Sequence, residues 1–185
     1  MSPWAIKRLG KAIQLGAVIA YPTDTIWGFG CHPLNPHSTH RILHIKRRAA
    51  SKGLILLCSD LTYCLAYISP KLSSANIALL QQPRTRPTTW LVSASADCPA
   101  WLRGEFATVA VRITSHPFIQ AICQQIKSPV VSTSANLTGK SPVRNAIQAR
   151  RLFAGQVDYI VTGYQPGTGR ASEIKSLETG DIIRA

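Results

Sequence analysis

SPVVST (128–133) reads as a buried strand, and STSAN (132–136) ends it with hydroxyl and amide side chains. Its β-branched residues suit a strand, and Ser132, Thr133, Ser134 and Asn136 gather where the strand gives out. In α/β sheets, ligands sit beyond the carboxyl ends of strands. An Asn turn or a helix cap is the plainer reading of the same residues. Strand-like runs recur on both sides: AVIAY (17–21), GLILLC (53–58), TTWLVS (88–93), ATVAVRI (107–113), VDYIV (157–161), SEIKSL (172–177) and DIIR (181–184). Between them lie stretches with helical spacing at 3–15, 37–47, 60–67, 70–81, 117–126 and 143–154. Pro3 opens the first of these and Gly16 is placed to stop it. Alternation of apolar strands with helices predicts an α/β sheet covered by helices. The short spacings after 157 predict some antiparallel pairing, hence a mixed sheet. No composition break or repeat divides residues 1–185, so the chain is expected to form a single domain.

The charge is one-sided. Lys and Arg number 21 against 8 Asp and Glu, a formal charge of +13. Asp60 is the only acid between Thr25 and Ala96, and none occurs from Phe106 to Val157. A surface kept only for solubility mixes both signs, so these stretches predict an anionic partner: nucleic acid, nucleotide phosphate or an acidic membrane surface. Apolar residues make up 45%, which excludes intrinsic disorder, and no apolar run approaches the roughly 20 residues of a membrane span. Lys7, Arg8 and Lys11 interrupt the early apolar residues, against a signal peptide. Five cysteines with no C-x-x-C pair argue against a disulfide framework or structural zinc and for a reducing cytoplasm.

KRRAASKGL (46–54) places Lys46, Arg47, Arg48 and Lys52 at a helix end that runs into a strand. Helix-terminal cations account for one or two of these charges, not for four without an acid, and the cluster suits a triphosphate or a nucleic-acid backbone. TSANLTGKS (133–141) imitates a phosphate-binding loop, but Ser134 stands where glycine is required and Pro142 opposes the helix that must follow. His40 and His44 share a helix face with no third ligand nearby, so packing or solvation explains them better than a metal. PTDT (22–25) holds one acid, Asp24, where a paired-carboxylate hydrolase needs two, and no G-x-S-x-G elbow is present. Positioning and charge stabilisation around phosphates is the chemistry this composition favours.

Taken together, YPTDTIWGFGC (21–31), KRRAASKGL (46–54), TVAVR (108–112) followed by His116-Pro117, STSAN (132–136), and the tail residues Ser172, Ile174 and Arg184 resemble, in order and spacing, the YrdC-like family of threonylcarbamoyl-AMP synthases. The short chain is similar to the compact bacterial members. The resemblance implies a twisted, open α/β sheet with flanking helices and a positively charged concave face. It implies that threonine and bicarbonate form a carbamate that attacks the α-phosphate of ATP, giving threonylcarbamoyl-adenylate and diphosphate. Downstream threonylcarbamoyl-transfer proteins would then pass the group to adenosine 37 of tRNAs reading codons that begin with A. By the same resemblance Thr25, Arg112, Ser132 and Ser172 would hold threonine, and Arg48, Lys52, Thr108, Ser134 and Arg184 would hold ATP. Lys46, with Arg48, would neutralise phosphate charge as diphosphate leaves, and Asn136 would fix the nucleotide-binding loop. Mg²⁺ would be held mainly by the ATP phosphates and water.

Three departures accompany the match. Asp24 stands for the usual Glu. Ala49 and Gly53 stand where many members have Pro, which implies a more mobile loop. RTRPTT (84–89) replaces W-P-G-P-x-T, adding Arg84 and Arg86 that would strengthen binding to RNA or phosphate. The competing reading is a non-catalytic protein binding double-stranded RNA or tRNA, such as a ribosome-maturation factor, since phosphate contacts alone explain a basic face. A third is carbamoyl transfer as in hydrogenase maturation, a setting that brings further domains. The set Arg112, Ser132 and Ser172 separates the first reading from the second, because an RNA surface has no need of it.

Overall fold

Pro3, Pro36 and Pro117 each open a helix, where the missing N–H costs nothing. The computed structural model describes residues 1–165 and 167–185. Ser2 caps α1 (Pro3–Gln14), Asn35 caps α2 (Pro36–Lys46), and α5 spans Pro117–Ile126. Shorter helices are α3 (Ser74–Gln81), α4 (Ala100–Arg103) and α6 (Ala146–Phe153). The strands are β1 (Ile19–Tyr21), β2 (Gly28–Gly30), β3 (Ile55–Cys58), β4 (Thr88–Ser93), β5 (Thr108–Ile113), β6 (Val130–Ser134), β7 (Tyr159–Ile160), β8 (Glu173–Ser176) and β9 (Ile182–Arg184). They form one open sheet in the order β7-β1-β2-β6-β3-β5-β4-β8-β9. The sheet is mixed, as the sequence predicts. β3–β5, β4–β8 and β1–β7 run parallel, whereas the closing β8–β9 pair is antiparallel.

Register decides which side chains share a face. Val131, Leu56, Val111 and Trp90 are successive cross-strand partners and all are buried. Phe118, Ile119 and Ile122 of α5 belong to the same core, and α5 packs on α1. The neighbouring row, Ser132–Ile55–Ala110–Leu91, faces the other way and floors a cavity.

Three elements differ from expectation. β2 lies inside what reads as a loop, because glycines lower strand propensity. Gly30 is required there: a Cβ would sit 2.7 Å from the Tyr21 ring and from the Val131 carbonyl. α4 has only four residues, too few for a periodic signal. The segment near 60–67 is a 3-10 turn, Leu61–Tyr67, begun by Asp60, whose carboxylate accepts from Thr62 N at 2.8 Å.

Candidate active site

β5 carries one wall of the cavity. Side chains alternate along a strand, so Thr108, Ala110 and Arg112 point into it while Val109 and Val111 point into the core. The parity continues to Phe106, which also lines the cavity. From Arg112 to Phe106 is six residues, roughly 20 Å of extended chain. The deep end is dry, with Arg112 4% exposed, and the rim is wet, with Phe106 55% exposed. The cavity measures about 430 Å³, and no acidic residue lines it among the described residues.

At the deep end the Arg112 guanidinium is held on two sides. Its Nη1 donates to Thr25 Oγ1 at 2.9 Å, and its Nη2 lies 3.2 Å from Asp24 Oδ1. Thr23 braces Thr25: their hydroxyls are 2.9 Å apart, and Thr23 Oγ1 donates to Ile26 O at 2.7 Å. Arg112 Nε is buried and has no partner. A buried guanidinium N–H left unpaired is costly unless a ligand accepts it. Ser132 and Ser172 line the same cavity, the latter with its hydroxyl 2.8 Å from that of Thr89.

The other end is built by the 46–54 loop. Arg48 Nη2 donates to the carbonyls of Lys52 and Gly53, both at 3.1 Å, and its Nε also lacks a partner. Arg48, Lys52, Arg103, Thr108 and Ser134 line this end beside apolar Leu102 and Phe106. Arg184 Nη2 donates to Ser172 O at 2.8 Å. Burial and then repulsion from Arg184 lower the Arg48 guanidinium's proton affinity, while burial and then Arg112 lower that of Arg184. Arg184, tied to Ser172, thus lines the same cavity among cations that repel one another. Such a set calls for an anion with charge along its length.

Nine residues singled out in the sequence line this one cavity: Thr25, Arg48, Lys52, Thr108, Arg112, Ser132, Ser134, Ser172 and Arg184. Lys46 and Asn136 do not. Lys46 is 2% exposed, and its ammonium donates to Ser134 O, to Asn136 Oδ1 at 2.8 Å and to Asn136 O at 3.0 Å. With its three protons so engaged, Lys46 is placed as an anchor of the STSAN loop rather than as a phosphate neutraliser. Asn136 joins the same knot by accepting from Ser134 Oγ at 2.6 Å.

The departures also find physical roles. Gly53 has φ +59, and Gly104, in the facing turn, has φ +66 with room for no Cβ beneath the Ser51 carbonyl. Leu54 N donates to Leu102 O at 2.8 Å and Glu105 N to Ser51 O at 3.2 Å, so the loop expected to be mobile is fastened to α4. Arg84 lies over the Trp90 ring at 4.9 Å, and Arg86 is 3.8 Å from Glu173, so both added arginines are engaged within the chain. Sequence reasoning missed Thr23, Arg103 and Phe106. The even-numbered alternation back from Arg112 was the signal for Phe106.

No cluster of three His, Cys, Asp or Glu able to hold a metal exists among the described residues. His40 Nδ1 is paired with Pro36 O at 2.7 Å. The cysteines are free and buried.

The Sua5_yciO_yrdC family model, described as "Telomere recombination", matches residues 11–185. A threonylcarbamoyl-AMP synthase of Nitrosococcus oceani is 38% identical over 181 residues, covering 98% of this chain and 97% of that one. One from Cellvibrio japonicus is 38% identical over 188 residues, covering 100% and 99%. Among solved structures, P. abyssi Sua5 complexed with L-threonine superposes with a TM-score of 0.89 at 24% identity, covering 98% of this chain. The chain spans about half of that longer protein, 53%.

Proposed function

The chain belongs to the Sua5/YciO/YrdC family, and from that membership we propose that it is a threonylcarbamoyl-AMP synthase, joining L-threonine, bicarbonate and ATP into threonylcarbamoyl-adenylate and diphosphate. Full-length relatives at 38% identity carry that name. The observation that carries the assignment of roles is the acid-free cavity running from Arg112 to Arg48.

Threonine's carboxylate takes the unpaired Nε edge of Arg112, whose planar fork suits bidentate binding. Ser132 and Ser172 offer hydroxyls beside it. The amine combines with bicarbonate, releasing water, and a carbamate oxygen then attacks the α-phosphorus of ATP. The bond to the β-phosphate breaks and diphosphate departs toward Arg48 and Lys52. Arg184, which lines the same cavity, stabilises charge on the α-phosphoryl group as bonds exchange. Among the described residues no carboxylate lines the cavity to act as base, so catalysis rests on holding two reactants in line and on fixed positive charge. The nucleobase lies against Phe106 at the rim. Mg²⁺ would arrive with the nucleotide substrate, held mainly by its phosphates and water.

The adenylate would serve downstream threonylcarbamoyl-transfer proteins acting on tRNA in the cytoplasm, with exposed cations available for direct tRNA contact. No helix among the described residues is long and apolar enough to cross a membrane. The test is diphosphate release by the purified protein with Mg²⁺. Release that requires threonine, bicarbonate and ATP together is expected. Its absence with folded protein would contradict the proposal.

A further inference from the structure

β1 and β7 pair in parallel through Ile19–Tyr159 and Ala20–Ile160, and Val161 N extends the ladder to Ala20 O at 2.8 Å. A second set of rungs lies further along both segments. Gly167 N donates to Thr23 O at 2.9 Å, Thr168 N to Asp24 O at 3.3 Å, and Gly169 N to Thr25 O at 2.9 Å. These rungs hold the three residues that brace Arg112.

The approach at the first rung is close. A Cβ on Gly167 would overlap the carbonyl carbon and oxygen of Asp24 and come within 2.5 Å of Thr25 N. Real Cβ atoms do not approach backbone so closely, and neither partner here is a flexible side-chain end that can swing aside. The segment is also tied beyond the rungs. On one side, His116 Nε2 lies 3.4 Å from Gln165 O, and the Tyr164 ring packs on Phe118 at 5.4 Å. On the other, Ser172 accepts from Arg184.

We infer that residues 167–169 form a strap that sets the amino-acid end of the cavity, and that Gly167 is a positioning residue for threonine. The inference rests on the assignment of Arg112 to threonine's carboxylate. Asp24 and Thr25 together fix the guanidinium and leave its Nε unpaired. The strap fixes Asp24 and Thr25. A side chain at 167 must push the strap and the Thr23–Thr25 segment apart, so the guanidinium loses its brace while the nucleotide end, built by the 46–54 loop and α4, keeps its geometry. The strap touches neither Arg48 nor Lys52 through any of these rungs.

The experiment is steady-state diphosphate release with Gly167→Ala, titrating threonine and ATP separately. The threonine KM is expected to rise on the order of 10- to 100-fold, the scale of a displacement near 1 Å, while the ATP KM stays put. Gly169→Ala provides a milder second variant: its Cβ meets nothing within 4 Å, but its φ of +75 resists a side chain. It should shift threonine in the same direction by less. Gly155→Ala, also at positive φ in open space and away from the cavity, controls for general destabilisation and should lower Tm without moving the threonine KM. An unchanged threonine KM in Gly167→Ala, or equal rises in both KM values, would overturn the strap. Failure of the wild-type protein to release diphosphate would instead overturn the reaction itself.

Discussion

Lys46 keeps its charge where water does not follow. Its ammonium is placed among the Ser134 and Asn136 acceptors, and burial, then repulsion from Arg48, pushes it down to about 8. An unfolded lysine titrates near 10.4. Between those values the unfolded chain holds a proton that the native one has released, so Lys46 makes stability rise with pH across that window and this contribution is lost as pH falls through about 8. Activity should move the other way. A neutral amine loses the charge-assisted bonds that hold the STSAN loop, so kcat/KM for ATP is expected to fall above about pH 8. Lys46→Arg, which stays charged, should abolish that alkaline limb. A limb that persists unchanged in the variant would refute the anchor. The lysine was legible in the sequence as part of a phosphate-facing cluster, but its direction was not. Whether a helix-terminal side chain turns into the cavity or under the loop depends on a strand some 90 residues later, and local pattern carries no such information.

At the scale of elements, alternation did most of the placing. The parity of β5 puts Thr108 and Arg112 on one face, where both line the cavity. What local pattern could not supply was backbone meeting backbone. β2, with two glycines in three residues, lacks the propensity of a strand and exists because β1 and β6 pair with it on either side. The 46–54 loop invites the same error. Its glycine suggests freedom, yet a Cβ at Gly53 or Gly104 would crowd the facing backbone where the loop meets the α4 turn. Gly104→Ala would force a Cβ against the Ser51 carbonyl at φ +66, a strain of roughly 1–3 kcal/mol. A lower Tm together with a raised KM for ATP and an unchanged KM for threonine is expected from thermal unfolding and steady-state kinetics. A rise in the threonine KM alone would contradict the division of the cavity.

Across the whole molecule, topology gathers what sequence order separates. Thr25, Arg48, Arg112, Ser132, Ser172 and Arg184 come from the start, middle and end of the chain, and the β2-β6-β3-β5-β4-β8-β9 order sets them around one cavity. The fold class, the mixed pairing and most element bounds were readable because apolar strands and amphipathic helices obey local rules. The charge imbalance was readable as well, but its division was not. Arg84, Arg86 and Arg41 are spent on Trp90, Glu173 and Asp158, leaving the cavity cations without acid partners save Asp24. The central claim is that this cavity holds an amino acid at the Arg112 end and a nucleotide at the Arg48 end. Calorimetric titration of threonine and of a non-hydrolysable ATP analogue into Arg112→Ala and Arg48→Ala tests it most directly. Arg112→Ala should weaken threonine at least about tenfold, or ~1.4 kcal/mol, with the analogue little affected, and Arg48→Ala should do the reverse. Equal losses of both ligands in both variants would contradict it.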